Sequence, residues 1–226
     1  MECYILTAEI KQAVHRRLDP TEIKQFINFI ESILPKWQNL LYSNSMFNLN
    51  KEFECAVASL KAGFELLFQL EEQLLSRERP FILQYVITYG DIEVPKRKGM
   101  FRGIVGNGLL KADIRMQKLR ESKDDRFNIE IKDRVESLYL NGLFSLYQMI
   151  CDSWSPKDYK LAYGLIFLWD YKLIAKGMNK DAALVWKRRK ALKIRQYDIC
   201  KELILKTPEL IVKKKASRTN EKPPAF

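Results

Sequence analysis

The chain has 226 residues, 47% apolar and 30% charged, with only 9 Gly and 8 Pro. That is enough to bury one substantial core, and it excludes a disordered or fibrous chain. The formal charge of +11 is unevenly placed: residues 1–155 hold 21 Lys and Arg against 21 Asp and Glu, whereas residues 156–226 hold 18 against 7, an excess of 11. A polyanion is the natural partner of that cationic third, and no apolar run reaches the roughly 18 residues of a membrane span, so no membrane partner is expected.

YILTAEI, from Tyr4 to Ile10, is rich in strand formers and predicts a first buried strand. The start of the chain lacks a basic and apolar leader, so a cytoplasmic location is expected. His15, the one histidine, sits beside Arg16 and Arg17 and reads as a solvated loop residue, leaving no partner set for zinc or a Ser-His-Asp triad. Asp19-Pro20 supplies an N-cap and a first helical residue. Ile23, Phe26, Ile27, Ile30, Ile33 and Leu34 then recur at helical spacing until Pro35 stops them.

Phe47, Leu49, Phe53, Cys55 and Val57 alternate about Asn50-Lys51, which predicts a hairpin turning there. A second amphipathic helix runs from about Leu60 to Ser76, and FILQYVITYG is the clearest strand in the chain. Gly99, Gly103, Gly106 and Gly108 punctuate a loop that reads as mobile and solvated. The alternative is that this loop, with Lys96, Arg97, Lys98 and Arg102, contacts phosphates. A third helix from about Leu109 to Glu121 and a short edge strand, FNIEI, follow. The order β-α-β-β-α-β-α-β predicts an α+β, ferredoxin-like fold over residues 1–132, with helices on one face of a mainly antiparallel sheet.

No strand is predicted from Asp133 onward. Val135 to Cys151 reads as a linker helix within residues 133–154, after which Ser155 caps and Pro156 opens a helical domain over residues 155–206. Its helices are expected at about Pro156–Leu168, about Asp170–Met178, and from Ala182 to about Leu205. Residues 207–226, including Lys213, Lys214 and Lys215, read as a disordered basic tail. Cys3, Cys55, Cys151 and Cys200 are far apart and are expected to be buried, reduced thiols.

The stretch LIAKGMNKDAALVWKRRKA has the spacing of a helix-turn-helix. Ala175 stands where the helices cross, Asn179 where the turn needs positive φ, Asp181 where the second helix needs a cap, and Val185 where it points inward. With Leu184 and Val185 inward, Ala182, Ala183, Trp186, Lys187, Arg188 and Lys190 project outward, small residues first and cations one turn later. Such a helix suits the major groove of double-stranded DNA, with Arg188 as the bidentate base contact; were the partner RNA, Trp186 would stack on a base. Lys172, Lys176 and Lys180 would reach backbone phosphates, and a homodimer on paired half-sites is expected. This reading collapses if Lys187 and Arg188 are locked together against carboxylates of their own chain. Lys180 and Arg189 depart from the pattern, which prefers apolar residues at both places.

YILTAEI, LNKEF in the hairpin, VITYGDI and GIVGNGLLKADIRMQKL, ahead of the helix-turn-helix, resemble the SatD family of bacterial proteins over about residues 3–205. The resemblance implies an N-terminal domain related to class III nucleotide cyclases joined to a DNA-binding end. Cyclases of that class hold divalent metals on two aspartates. The corresponding positions here carry Glu9 and Lys51, and a lysine beside the metal is strongly unfavourable, while Glu52 faces the other side of its strand. Leu110 and Ile114 stand where the family places Asn and Arg for ribose and transition state, and Arg115 is one position off, about 100° around the helix.

No catalytic residue, metal or cofactor is therefore expected, and the chain reads as a non-enzyme. The expectation is a nucleoid-associated DNA-binding protein, a transcriptional regulator whose cyclase-like domain senses a small-molecule effector or dimerises. The alternatives are a nucleotide-binding or nucleotide-processing protein using the N-terminal domain, and a basic protein-interaction scaffold.

Overall fold

Ile5 and Leu6 point to opposite faces of their strand, yet both are fully buried, and this is why strand β1 (Glu2–Lys11) lies inside the sheet. The computed structural model describes residues 2–11, 20–41, 46–47, 52–78, 82–93, 106–168 and 170–220. β1 pairs antiparallel with β3 (Glu52–Val57) on one side and with β4 (Ile82–Asp91) on the other. The two-residue β2 (Met46–Phe47) extends β3, and β5 (Phe127–Glu130) joins β4 in parallel, giving the order β2-β3-β1-β4-β5. Phe47 lies opposite Phe53, but the turn expected at Asn50 and Lys51 falls outside the described residues, as does His15.

Helix α1 (Pro20–Ile33) runs into a 3-10 helix (Leu34–Leu40) opened by Pro35, and α2 (Leu60–Ser76) starts where the Ser59 hydroxyl accepts from Ala62 N at 3.0 Å. Phe64, Leu67 and Phe68 of α2 pack on the face of the sheet formed by Leu6, Phe53, Cys55 and Tyr85. The helices do not keep to that face. Ala112, Met116 and Leu119 of α3 (Asn107–Glu121) cover the opposite one, against Cys3, Ile5, Ala56 and Val86. The expectation of helices on one face fails because β1, β3 and β4 are buried at both parities of the pleat, with Cys3, Ile5, Ala56 and Val86 giving α3 an apolar seat on the second face.

Two glycines allow α3 to lie against β4 backbone to backbone. A Cβ on Gly90 would stand 2.4 Å from the Gly108 Cα, and Gly106 holds φ at 141°, a conformation side chains rarely tolerate. Gly106 and Gly108 thus serve close packing rather than a solvated loop. Gly99 and Gly103, with Lys96, Arg97, Lys98 and Arg102, lie outside the described residues.

Five helices follow: α4 (Arg134–Cys151), α5 (Pro156–Leu168), α6 (Tyr171–Gly177), α7 (Ala182–Ala191) and α8 (Ile194–Asn220). α4 is no spacer. Asn141 takes the Ile129 N–H at 2.9 Å and donates to its carbonyl at 2.7 Å, and Gln148 accepts from Arg126 N at 2.9 Å. The helix therefore satisfies the backbone of the edge strand β5. Phe144 and Tyr147 of α4 meet Phe68 and Phe127, and one core cluster runs on from these rings to Val185 and Ile211. The core is continuous across the boundaries drawn from the sequence at residues 132 and 155.

Arg126 shows why. Its fully buried guanidinium donates to Glu71 (2.6 Å), Asp152 (2.8 Å) and the Leu83 carbonyl (2.9 Å), tying α2, the end of α4 and the sheet together. Tyr197 of α8 reaches Glu72 of α2 at 2.8 Å in the same layer. The single helix expected from Ala182 to Leu205 is interrupted: Lys193 takes φ 54°, and Trp154 Nε1 donates to the Leu192 carbonyl at 2.9 Å. The expected tail is also corrected, since residues 207–213 continue α8 with Thr207 and Ile211 buried. Among the described residues no helix is long and apolar enough to cross a membrane.

Candidate nucleic-acid interface

The α6–turn–α7 segment is built by local backbone chemistry. Asp170 caps α6, accepting from Lys172 N (2.8 Å) and Leu173 N (3.2 Å). After Gly177 and Met178, Asn179 adopts φ 51°, and Lys180 N returns to the Ala175 carbonyl at 2.9 Å to close the turn. Asp181 accepts from Leu184 N at 2.9 Å and starts α7. Ala175 and Val185 are buried where the two helices meet.

That cap sets the phase of α7. Val185 is its one fully buried residue, and Leu184, expected inward, is 62% exposed because it lies about 100° around the helix. Ala183, Trp186, Lys187 and Lys190 are exposed alongside it, and Ala182 is half-buried. Lys190 Nζ sits 3.8 Å above the Trp186 ring, so one face of that ring already holds a cation.

Arg188 departs most from its expected role. Its Nε and Nη2 donate to the two oxygens of Asp158 at 2.8 and 2.6 Å. Asp158 is 4% exposed and also accepts from Ser155 N (3.2 Å) and Ser155 Oγ (2.5 Å) at the start of α5. Chiefly the Arg188 guanidinium, with the Ser155 bonds, holds this carboxyl down to about 2. The planar fork expected to grip a guanine is thus engaged by a carboxylate of its own chain, so the condition set on Lys187 and Arg188 fails at Arg188 and holds at Lys187 alone. Thirty positions separate the two residues, so no pattern within a few helical turns records the pair.

Four of the expected contact lysines stand open. Lys172, Lys176, Lys180 and Lys187 are exposed and, among the described residues, have no carboxylate partner. Lys157, Lys180 and Lys187 rim a groove of about 810 Å³ between α5 and α7, floored by Leu161 and Val185. On the other side of α7, Trp186, Arg189, Lys190 and Arg195 line a second groove of about 730 Å³, shared with Asp198 and Glu202. Burial pushes the Asp198 carboxyl up to about 6. α7 stands as a cationic ridge between two channels.

The cyclase-like positions are placed differently. The Glu9 carboxylate accepts from Arg120 Nε (2.8 Å) and Gln84 Nε2 (3.0 Å), so a cation of the chain already occupies the first metal position. Lys51 and the Glu52 side chain lie outside the described residues. Leu110 and Ile114 are exposed, and Arg115 pairs with Glu130. Among the described residues no three His, Cys, Asp or Glu side chains converge as ligands, and the donor set at Glu9 does not fit a divalent metal.

Sequence reasoning missed a polar layer beside Glu9. Thr7 Oγ1, Glu54 Oε1 and Gln84 Oε1 are buried without a hydrogen-bond partner among the described residues. They lie on the α3 side of three adjacent strands, where Thr7 is opposite Glu54 and Glu9 opposite Gln84. Burial, and then Asp113, push the Glu54 carboxyl up to about 7. No protein-family model matches the chain, and no curated protein matches its sequence.

Proposed function

We propose that the chain is a DNA-binding protein, a transcriptional regulator that works on the chromosome. In this reading α6–turn–α7 acts as a helix-turn-helix, α7 enters the major groove, and the sheet-bearing part is a ferredoxin-like, cyclase-related module without catalysis. The observation that carries it is the row of exposed lysines without carboxylate partners among the described residues, Lys172, Lys176, Lys180 and Lys187, on a turn shaped by Asn179 and Asp181. Lys187 and Lys190 reach bases or nearby phosphates, and Lys172, Lys176 and Lys180 take the flanking phosphates. Arg188 has a different part from the one its chemistry first suggests: by holding Asp158 it braces α7 on α5 and fixes the angle of the ridge. The resemblance to the SatD family favours the same division of labour.

The test is a mobility shift on duplex DNA at several salt concentrations. Neutralising five phosphates makes log K fall with log[salt] at a slope of about −4.5. Tight binding with no dependence on salt would overturn the reading.

A second reading concerns the sheet. The unpartnered acceptors of Thr7, Glu54 and Gln84 favour a small molecule bearing hydrogen-bond donors as an effector on the α3 side. Thermal stabilisation by nucleosides or small amines, lost in Glu54→Gln, checks it.

A further inference from the structure

Helix α4 carries an apolar stripe that nothing among the described residues covers. Val135 is 72% exposed, Leu138 75%, Tyr139 54%, Leu146 52% and Met149 58%, although the opposite side of the same helix is packed against the core. The spacing is that of a single helix face over four turns. The stripe carries no charge, and the helix has only two charged residues, Arg134 at its start and Glu136, which is buried. Helices that lie on membranes flank such a face with lysine and arginine, and this one does not.

Gly142 marks the centre of the stripe. Seven positions before and after it stand Val135 and Met149, four before and after stand Leu138 and Leu146, and three before and after stand Tyr139 and Ser145. Glycine inside a helix costs about 1 kcal/mol relative to alanine, and here the fold does not require it: a Cβ would meet nothing within 4 Å. Among the described residues nothing profits from the missing side chain.

We infer that α4 is the two-fold interface of a homodimer, formed by antiparallel packing of this helix on the α4 of a second copy with the two Gly142 residues at the crossing. In an isologous interface each position after the centre meets the matching position before it. Leu146 then packs on the partner's Leu138, Met149 on the partner's Val135, and the small Ser145 receives the partner's Tyr139. The glycines let the helix axes approach closely. The stripe presents roughly 500 Å² of apolar surface, the size of patch that marks an interaction site on a monomer. With its polar rim it approaches the ~800 Å² per partner of a stable interface. The inference does not depend on DNA binding, and its test reads a different quantity.

Sedimentation of the full chain tests it. The wild type sediments as a dimer at micromolar concentration, and Leu138→Glu with Leu146→Glu weakens association by roughly a hundredfold or more, leaving monomer. Both positions are more than half exposed in the single chain, so the variant still folds, and its melting temperature loses the dependence on protein concentration that the wild-type dimer shows. Gly142→Cys supplies an independent arm. All four native cysteines are buried, and a residue on the two-fold axis faces its own copy, so mild oxidation gives a disulfide-linked dimer. A monomeric wild type, including one that instead sediments with lipid vesicles, overturns the inference. So does a charged variant that stays dimeric, or a Gly142→Cys chain that fails to cross-link.

Discussion

Asp158, in the first turn of α5, and Arg188, in the last turns of α7, hold each other through two hydrogen bonds of 2.8 and 2.6 Å. The pair matters because α7 buries little of itself, Val185 being its one fully buried residue. A short helix with so small a hydrophobic anchor needs a directional contact to fix its rotation, and a bidentate pair provides one.

The Asp158 carboxyl is held at about 2, below the ordinary value near 4 of an unfolded chain. The pair therefore contributes its stability in full above about pH 4, and that contribution disappears as the pH falls through 2. The expected loss is about 2 kcal/mol. Asp158→Asn flattens this part of the acid limb, as urea unfolding at pH 7, 4 and 3 would show. An unchanged pH dependence in the variant would mean that the pair adds nothing to folding.

Lys187→Ala with Lys190→Ala separates binding from folding. Both side chains are exposed, so the melting temperature stays within a degree or two of wild type. Duplex affinity falls roughly 10- to 100-fold, and the salt slope becomes shallower by about 2. Arg188→Ala, by contrast, lowers the melting temperature as well, because it strands a buried carboxylate. Fluorescence anisotropy beside a thermal melt distinguishes the two patterns.

Gly108→Ala should destabilise strongly. The new methyl would stand 2.6 Å from the Ile5 Cδ1 and 3.0 Å from the Gly90 carbonyl carbon, and the backbone contact has no room to yield. A loss of about 2–3 kcal/mol is expected from chemical denaturation. Gly177→Ala is the control: nothing lies within 4 Å of its Cβ position, and the substitution should be neutral or add up to about 0.5 kcal/mol.

Glu54 gives a pH dependence of the opposite sign. Burial raises its carboxyl to about 7 in the folded chain, so the folded state holds a proton that the unfolded state releases near 4.5. Stability is unpenalised below about pH 4.5 and falls as the pH rises through 7, by an amount on the order of 2–3 kcal/mol. Glu54→Gln removes that decline, which unfolding at pH 5 and pH 8 detects. A variant that loses as much stability as wild type between those two values would place the cost elsewhere.

Much of the architecture could be read along the chain because its causes are local. Pro20 opens α1 and Pro35 opens the 3-10 helix that follows it, Ser59 caps α2, and the strand formers from Ile82 to Tyr89 lie in the sheet. Asn179, Asp181 and Val185 similarly express backbone sterics, capping and helical period within a few residues of one another. The placement of α3 opposite α2 is not legible in this way, since the α3 side mixes Ile5, Ala56 and Val86 with Thr7, Glu54 and Gln84 and gives no clear apolar alternation.

What belonged to the chain's own order was where elements begin, where they end, and which third of the molecule is cationic. Three-dimensional packing determined which of those cations remain open. Arg188 and Lys187 are adjacent residues of like charge on one helix, yet Arg188 meets Asp158 across the helix pair while Lys187 faces solvent. Neighbours along a helix point about 100° apart, so whether a charge is neutralised depends on what the fold brings to that direction, and no local pattern records it.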